Sequence, residues 1–143
     1  MIKIQALDHI VLRANNACKL IEFYQTILNC PVERTLPELG LTQLRAGTAL
    51  IDIVDVNLPL GQKRGADPNL FANNISQANS GPNVDHFCLT IDPIPAKDLI
   101  DYLDQHQIPH SDFENRYGAQ GYGDSIYLED PEGNGVELKF GLV

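Results

Sequence analysis

Two histidines occupy the same position in a short segment that occurs twice in the chain. His9 is the third residue of 7–12, which reads LDHIVL, and His86 is the third residue of 84–89, which reads VDHFCL. Both segments are rich in aliphatic and β-branched residues with period-two alternation, a pattern typical of β-strands. If the two copies pack as pseudo-symmetric mates, their imidazoles converge on one point, which is what a bound metal ion requires.

Two carboxylates occupy corresponding positions of two further predicted strands. Glu137 lies in the strand 135–140 and Asp52 in the strand 49–55. A largely apolar strand tolerates a carboxylate that faces a cavity only if its charge is compensated, and a metal is such a partner. Two imidazoles with one or two carboxylates suit zinc, nickel, iron(II) or manganese and leave room for water and substrate oxygens. The ligand set does not choose among these metals.

The other polar residues near these positions are weaker candidates. Strand alternation puts Arg13 on the face of His9 and Cys88 on that of His86, so both are candidates to contact a substrate. Arg13 would bind a carboxylate. Cys88 is interpreted as a small buried side chain rather than a catalytic thiol, because nothing nearby in sequence would lower its pKa. A lone strand histidine is more often structural than a ligand, so the metal prediction rests on the repeat. The remaining histidines, His106 and His110, are predicted at the surface.

The elements that position these residues follow the same order in both halves, β-α-β-β-β. The predicted helices are 17–28, capped by Asn15 or Asn16, and 96–106, with Pro95 at its first position. The predicted later strands are 32–35, 42–46 and 49–55 in the first half, and 110–115, 125–129 and 135–140 in the second. We therefore expect one α+β domain: module one at 1–56, a connecting loop at 57–83, and module two at 84–143.

The connecting loop 57–83 is rich in Asn, Gly, Pro and Ser, and a connection of this length is either a disordered linker or a lid over the site. Lys63 and Arg64 are its only basic residues. They could meet an anionic substrate, although solvated loop charges are the commoner explanation.

Composition excludes several classes of partner. The chain has 143 residues and a net charge of −9, which disfavours nucleic acid and anionic membranes. Its three cysteines lack a Cys-x-x-Cys spacing, which argues against disulfides or a thiolate zinc knuckle. With no signal-like N-terminus and no apolar run long enough to span a membrane, a soluble cytoplasmic protein is expected.

These motifs together resemble the vicinal oxygen chelate superfamily, which includes glyoxalase I, extradiol dioxygenases, fosfomycin-resistance thiol transferases, methylmalonyl-CoA epimerase and bleomycin-resistance proteins. The resemblance covers nearly the whole chain outside the connecting loop and implies two βαβββ modules that form a cup-shaped mixed sheet. The matching segments are 7–10 (LDHI), 22–28 (EFYQTIL), 83–87 (NVDHF) and 127–137 (YLEDPEGNGVE). The last is the most specific, because its Asp-Pro-x-Gly is a hairpin turn that returns Glu137 toward the site.

By this resemblance, His9, Asp52, His86 and Glu137 fall on the four metal positions of glyoxalase I, where the second is normally Glu. Asp52 is one methylene shorter, which leaves open whether it binds the metal directly, binds it through water or acts as a base. Family members that have only two His and one Glu indicate that three protein ligands suffice.

The resemblance also provides a check on ring cleavage. In the extradiol dioxygenase pattern, a catalytic histidine lies a few residues before an aliphatic-Tyr pair, which here would be Ile126-Tyr127. The corresponding positions hold Gly118, Ala119 and Gln120 and no histidine, which counts against ring cleavage. Tyr127 itself matches and is a candidate for substrate binding.

The expected function is therefore a metal-dependent lyase or isomerase of glyoxalase type, acting on a small oxygenated substrate. Two substrate oxygens would displace water from the metal, which would stabilise an enediolate while Glu137 or Asp52 accepts a proton. The alternatives are a bleomycin-resistance-like binding protein, metal-free or with a structural metal, an extradiol dioxygenase and a fosfomycin-type thiol transferase. We also expect a homodimer; the sequence leaves open whether the modules pair within one chain or across two.

Overall fold

The chain divides into two compact units, Met1–Gly81 and Pro82–Val143. The structure is a computed structural model, and it describes residues 3–62, 84 and 86–141. Most of the predicted connecting loop, 63–83, lies outside the described residues, including Lys63 and Arg64. Its described beginning contains a short helix at Pro59–Gln62.

The first unit is a four-stranded mixed sheet with helices. Its strand order is β1-β4-β3-β2, in which β1 runs parallel to β4 and the other neighbours are antiparallel. The elements are β1 (His9–Ala14), α1 (Ala17–Glu22), β2 (Val32–Leu36), β3 (Leu41–Ala46), β4 (Ala49–Asp55) and α2 (Pro59–Gln62), with a 3₁₀ turn at Pro37–Leu39.

The helix of the first unit begins as predicted but does not continue as an α-helix. Asn16 caps it by accepting a hydrogen bond from the Lys19 amide at 3.1 Å. After Glu22 the chain widens into a π-helical turn, Phe23–Ile27. This turn buries Phe23 and Tyr24 side by side, with their rings edge to face at 5.2 Å. The prediction of one regular helix over 17–28 is wrong in its second half, because packing of two adjacent aromatic rings determines the local winding.

The second unit repeats the topology of the first. Its strand order is β5-β8-β7-β6, and β5 runs parallel to β8 as β1 does to β4. The elements are β5 (His86–Ile91), α3 (Ala96–Gln105), β6 (Glu114–Gly118), β7 (Gly121–Glu129) and β8 (Gly135–Phe140). The prediction of an α+β fold built from two βαβββ modules is confirmed.

Two boundaries in the second unit differ from the sequence prediction. The strand predicted at 110–115 lies at Glu114–Gly118, and the strand after it begins at Gly121 rather than at 125. A two-residue turn joins the two strands. This hairpin is rich in glycine, a composition typical of loops. Its glycines belong to the sheet because the Lys139 side chain crosses it there: a Cβ on Gly118 or Gly123 would stand 3.0 Å from Lys139 atoms.

The ends of the second helix also shift slightly. Pro95 is the N-cap and not the first helical residue, and the helix ends at Gln105. Both repeated strands begin at their histidine, two residues later than predicted. Among the described residues, no helix has the length and apolar character needed to cross a membrane.

The central strands β4 and β8 are buried on both faces. The apolar face of β4 carries Ile51 and Ile53, and that of β8 carries Val136 and Leu138. Alternate residues on the opposite faces include buried charged groups, which are Asp52 in β4 and Glu137 and Lys139 in β8. A buried charge needs a compensating partner, so these two polar faces are where a functional site is expected.

Candidate metal site

A histidine and a carboxylate have the same offset in both units. In the first unit, Val11 of β1 is the register partner of Asp52. In the second unit, Cys88 of β5 is the register partner of Glu137. Each histidine precedes this pairing residue by two positions, which puts it on the carboxylate's face of the sheet. Each unit therefore carries one His and one acid on one sheet face, which we call its half-site: His9 with Asp52, and His86 with Glu137.

The half-site of the second unit is closed by direct contact. His86 Nε2 lies 3.3 Å from Glu137 Oε2, and the Glu137 side chain is only 9 % exposed. Tyr127 is the register partner of Glu137 on the other side, and its ring meets the His86 ring edge to face at 5.4 Å. Of the predicted site residues, His86, Tyr127 and Glu137 are thus brought together.

Cys88 lies on the same face and contacts Glu137. Burial, followed by the negative charge of Glu137, raises the pKa of the Cys88 thiol to about 11. A side-chain interaction with the Glu137 carboxylate shifts the pKa of the thiol in the same direction. The prediction that Cys88 is a small buried side chain is wrong, because the residue is exposed at the edge of the sheet face. A thiol with this raised pKa stays protonated near neutral pH, which agrees with the prediction that Cys88 is not a nucleophile.

A buried lysine follows Glu137 along the same face. Lys139 donates hydrogen bonds from Nζ to the carbonyl oxygens of Arg116 and Gly121, at 2.7 and 2.6 Å. Its register partner Ser125 is completely buried, and the Ser125 hydroxyl has no hydrogen-bond partner among the described residues. The ammonium group therefore fastens the β6–β7 hairpin to β8 and adds a fixed positive charge to this face.

The strand that carries Glu137 is entered through a side-chain-stabilised turn. Asp130 is buried, and its Oδ1 accepts hydrogen bonds from the amides of Glu132 and Asn134, both at 2.9 Å. Gly133 takes a φ of 81°, a conformation that glycine adopts without strain. The predicted role of the Asp-Pro-x-Gly segment as the hairpin turn before β8 is confirmed.

The half-site of the first unit is more open at its histidine. His9 is exposed, and its Nδ1 lies 2.6 Å from Asp8 Oδ1. This hydrogen bond raises the pKa of His9, and the charge of Asp52 raises it further. The neighbouring acid in sequence, not the acid across the sheet, therefore orients the imidazole.

Asp52 is buried and only half satisfied. The residue is only 6 % exposed, and its Oδ2 accepts a hydrogen bond from Gln43 Nε2 at 3.0 Å. Gln43 Oε1 in turn accepts a hydrogen bond from Arg34 Nε at 3.0 Å. The other carboxylate oxygen, Asp52 Oδ1, is buried and has no hydrogen-bond partner among the described residues. Such an oxygen is unusual in a folded protein and calls for an explanation.

The remaining sequence candidate, Arg13, is partly committed to the fold. Its guanidinium donates a hydrogen bond to the carbonyl oxygen of Gly61 at 2.7 Å. A guanidinium has five N–H donors, so others stay available to a ligand. Alternation places Arg13 on the same strand face as His9.

Neither unit contains a complete metal site by itself. Within each one, the described residues include no group of three or more His, Cys, Asp or Glu able to hold a metal ion. Each unit carries one imidazole and one carboxylate on one sheet face. The donor chemistry suits a divalent cation, and the unpartnered Asp52 Oδ1 is an oxygen that a cation would satisfy. The residues present therefore fit such a metal.

Sequence reasoning missed the residues that hold these groups in place: Gln43, Arg34, Asp8, Lys139 and Ser125. Alternation along each strand indicates which of them share a face with the acids, but not which ones stand opposite. The sequence also predicts a surface position for His110, whereas the structure partly buries it. That side chain is 16 % exposed, and it contacts the Ser111 carbonyl and Asp104.

The comparisons with known proteins agree with this architecture. The model of the family described as Glyoxalase/Bleomycin resistance protein/Dioxygenase superfamily matches residues 6–138. The chain belongs to this superfamily. A comparison with curated proteins found no match.

Solved structures of the superfamily fold cover nearly the whole chain. A virulence protein from Salmonella typhimurium is 22 % identical, covers 99 % of this chain and 100 % of its own, and has a TM-score of 0.74. Lactoylglutathione lyase from Agrobacterium tumefaciens is 24 % identical over 96 % and 95 % of the two chains, with a TM-score of 0.66. The fosfomycin resistance protein FosX from Listeria monocytogenes is 18 % identical over 99 % and 97 %, with a TM-score of 0.64. At these identities the likeness concerns the fold alone.

Proposed function

We propose that the protein is a divalent-metal-dependent lyase or isomerase of glyoxalase type that acts on a small oxygenated substrate. Its metal ligands would be His9, Asp52, His86 and Glu137, with zinc, nickel, iron(II) or manganese as the ion. A structure of the same fold is named a lactoylglutathione lyase, which supports the reaction class. The homodimer and the cytoplasmic location stay predictions.

One observation carries the proposal: the same histidine-plus-carboxylate arrangement occurs twice, at the same sheet positions. A single buried acid beside a histidine is commonly an ordinary structural ion pair. Two copies at the same register offset, one with a buried unsatisfied oxygen, are better explained by a shared ligand that requires all four groups.

The chemistry follows from the groups available. When bound, a divalent metal supplies a Lewis acid that stabilises negative charge on substrate oxygens as a proton leaves the adjacent carbon. We assign acceptance of that proton to Glu137. Asp52 Oδ2 is held by the Gln43 amide, whereas Glu137 has one more methylene and contacts groups that can adjust with it, His86 and the Cys88 thiol.

Three further residues would contact the substrate. Arg13 has guanidinium donors to spare for an anionic group, and Tyr127 and Cys88 flank Glu137 in register. Burial of the Glu137 carboxylate beside these groups excludes water from the proton-accepting oxygen, which strengthens its interaction with the substrate.

Elemental analysis of protein purified without an affinity tag or chelator tests the metal first. We expect about one equivalent of a first-row divalent metal in the wild type, and its loss in His86→Ala. His106→Ala is the matched control, because it removes an exposed histidine outside both half-sites and should keep the metal. Absence of metal from the wild type, with none taken up when each ion is added, would instead support the metal-free binding protein.

Hydrogen exchange tests the base. Incubation of the metal-loaded protein in D₂O with small 2-hydroxycarbonyl compounds should exchange the proton next to the carbonyl, as followed by NMR. Glu137→Gln should abolish this exchange. Exchange that persists in both Glu137→Gln and Asp52→Asn, but not in His86→Ala, would refute a carboxylate base and leave the metal assignment intact.

A further inference from the structure

A line of hydrogen bonds crosses three strands of the first unit and ends on Asp52. Arg34 of β2 is the register partner of Gln43 in β3, and Gln43 is the register partner of Asp52 in β4. The bonds run from Arg34 Nε to Gln43 Oε1 and from Gln43 Nε2 to Asp52 Oδ2, each 3.0 Å long. Arginine has only donors, so it fixes the oxygen end of the amide toward itself and the nitrogen end toward the carboxylate.

The consequence for Asp52 is an unequal carboxylate. Oδ2 has its hydrogen bond, while Oδ1 is buried and receives none from the described residues. Burying a charged oxygen without a hydrogen-bond donor is unfavourable, and a donor to each carboxylate oxygen would remove this energetic cost. The Gln43 amide donates a hydrogen bond to only one of the two oxygens of Asp52. The second oxygen is therefore left to bind another group.

The other half-site shows why such a tether is needed. Glu137 is one methylene longer and reaches His86 directly, at 3.3 Å. In the first unit the ion pair of His9 is formed with Asp8 instead. Tyr127, which stands opposite Glu137 as Gln43 stands opposite Asp52, packs on the His86 ring. Only in the first unit does the residue opposite the acid hold the carboxylate by a hydrogen bond from an amide.

We propose that Gln43 is a positioning residue that fixes the Asp52 carboxylate so that its free oxygen serves as a direct ligand for a divalent cation. This inference rests on the proposed function, since it presumes that the protein binds a metal. It resolves the ambiguity left by the shorter side chain: Asp52 is held as a ligand, and the amide compensates for the missing methylene.

Metal affinity, measured by competition with a chromophoric chelator using Ni²⁺ and Zn²⁺, tests the role of Gln43. Gln43→Met keeps the length of the side chain and removes both hydrogen bonds, and Gln43→Leu serves if the methionine variant does not fold. We expect either one to weaken cation binding roughly 10- to 100-fold, as is usual for residues that orient a ligand. Gln62→Leu is the matched control: it deletes one hydrogen bond, to the Asn57 carbonyl, away from the sheet. It should leave the affinity unchanged.

A rescue variant separates positioning from a merely structural role. Glu at position 52 should reach its histidine as Glu137 does, so adding Asp52→Glu to Gln43→Met should restore most of the lost affinity. Unchanged affinity in Gln43→Met, or an equal loss with and without Asp52→Glu, would overturn the inference while the metal stays bound in the wild type. A wild type that binds neither Ni²⁺ nor Zn²⁺, and takes up no iron(II) or manganese in the elemental analysis, would overturn the proposed function together with it.

Discussion

The two units place a histidine and a carboxylate at the same sheet positions but stabilise them by different means. In the second unit the acid is long enough to reach its own histidine, and a buried lysine supplies a fixed positive charge two residues further along β8. In the first unit the acid is shorter, a glutamine amide holds it, and the corresponding position two residues along β4 is Val54. The two units thus share the backbone positions of the histidine and the acid, but each compensates its buried carboxylate in a different way.

This difference has an energetic meaning. Glu137 contacts His86, so the carboxylate of the second half-site has a partner before any ligand binds. Asp52 keeps an unsatisfied oxygen, so the first half-site is less stable without a ligand and has more to gain from one. Strain of this kind is typical of functional sites, because stability there is given up for binding.

The largest expected effect concerns the lysine that only the second unit has. Lys139→Met removes two charge-assisted hydrogen bonds and leaves two part-buried carbonyls without their donor, so the free energy of unfolding should fall by about 3 kcal/mol. Urea denaturation followed by circular dichroism measures it. Lys97→Met, which removes an exposed lysine paired with Asp101, should change little. Equal effects of the two variants would remove the lysine from the comparison.

A smaller effect distinguishes the two acids in protein stripped of metal by a chelator. Glu137→Gln removes the negative charge from the contact with His86 and should lower the free energy of unfolding by about 1 kcal/mol. Asp52→Asn removes a buried charge that is only half satisfied while the Gln43 amide keeps an acceptor, so this variant should be at least as stable as the wild type. If instead Asp52→Asn loses as much stability as Glu137→Gln, the first half-site is not strained in the absence of a ligand.

The smallest effect is on the pH response of the exposed histidine. The hydrogen bond that His9 donates to Asp8 raises the pKa of His9, so Asp8→Asn should lower that pKa toward its ordinary value of 6.5. Because the pKa in the folded state is raised, the stability it contributes is present below about pH 6.5 and is lost as the pH rises through the raised value.

NMR titration of the imidazole protons in chelator-treated protein measures this change. His110 is the internal control, because a hydrogen bond to the Ser111 carbonyl raises its pKa independently of Asp8. Metal binding should improve at lower pH in Asp8→Asn, since His9 must lose its proton to bind a metal. A pKa of His9 that does not move would mean that Asp8 is not its partner in solution.

Much of the fold could be predicted because the sequence contains the same order of segments twice. The repeated LDHIVL and VDHFCL segments, the helix after each and the final acid-bearing strands predict two βαβββ modules, and the structure has them. The side chain of Asp130 also predicts its turn, since the hydrogen bonds that form it are local. The β6 strand and the π-helical turn could not be predicted, because a buried lysine and a pair of packed rings decide them.

The sequence by itself determined the strand face of each candidate residue, and it predicted which residues carry the chemistry. His9, Asp52, His86 and Glu137 follow from residue type, repetition and period-two alternation, all of which are local properties. Only the tertiary structure decided how each acid is held: Gln43 meets Asp52, and Tyr127 stands beside Glu137, through the register of strands paired across the sheet. A shift of one residue in that register would turn the side chains to the other face, and long-range packing, which no short pattern encodes, selects it.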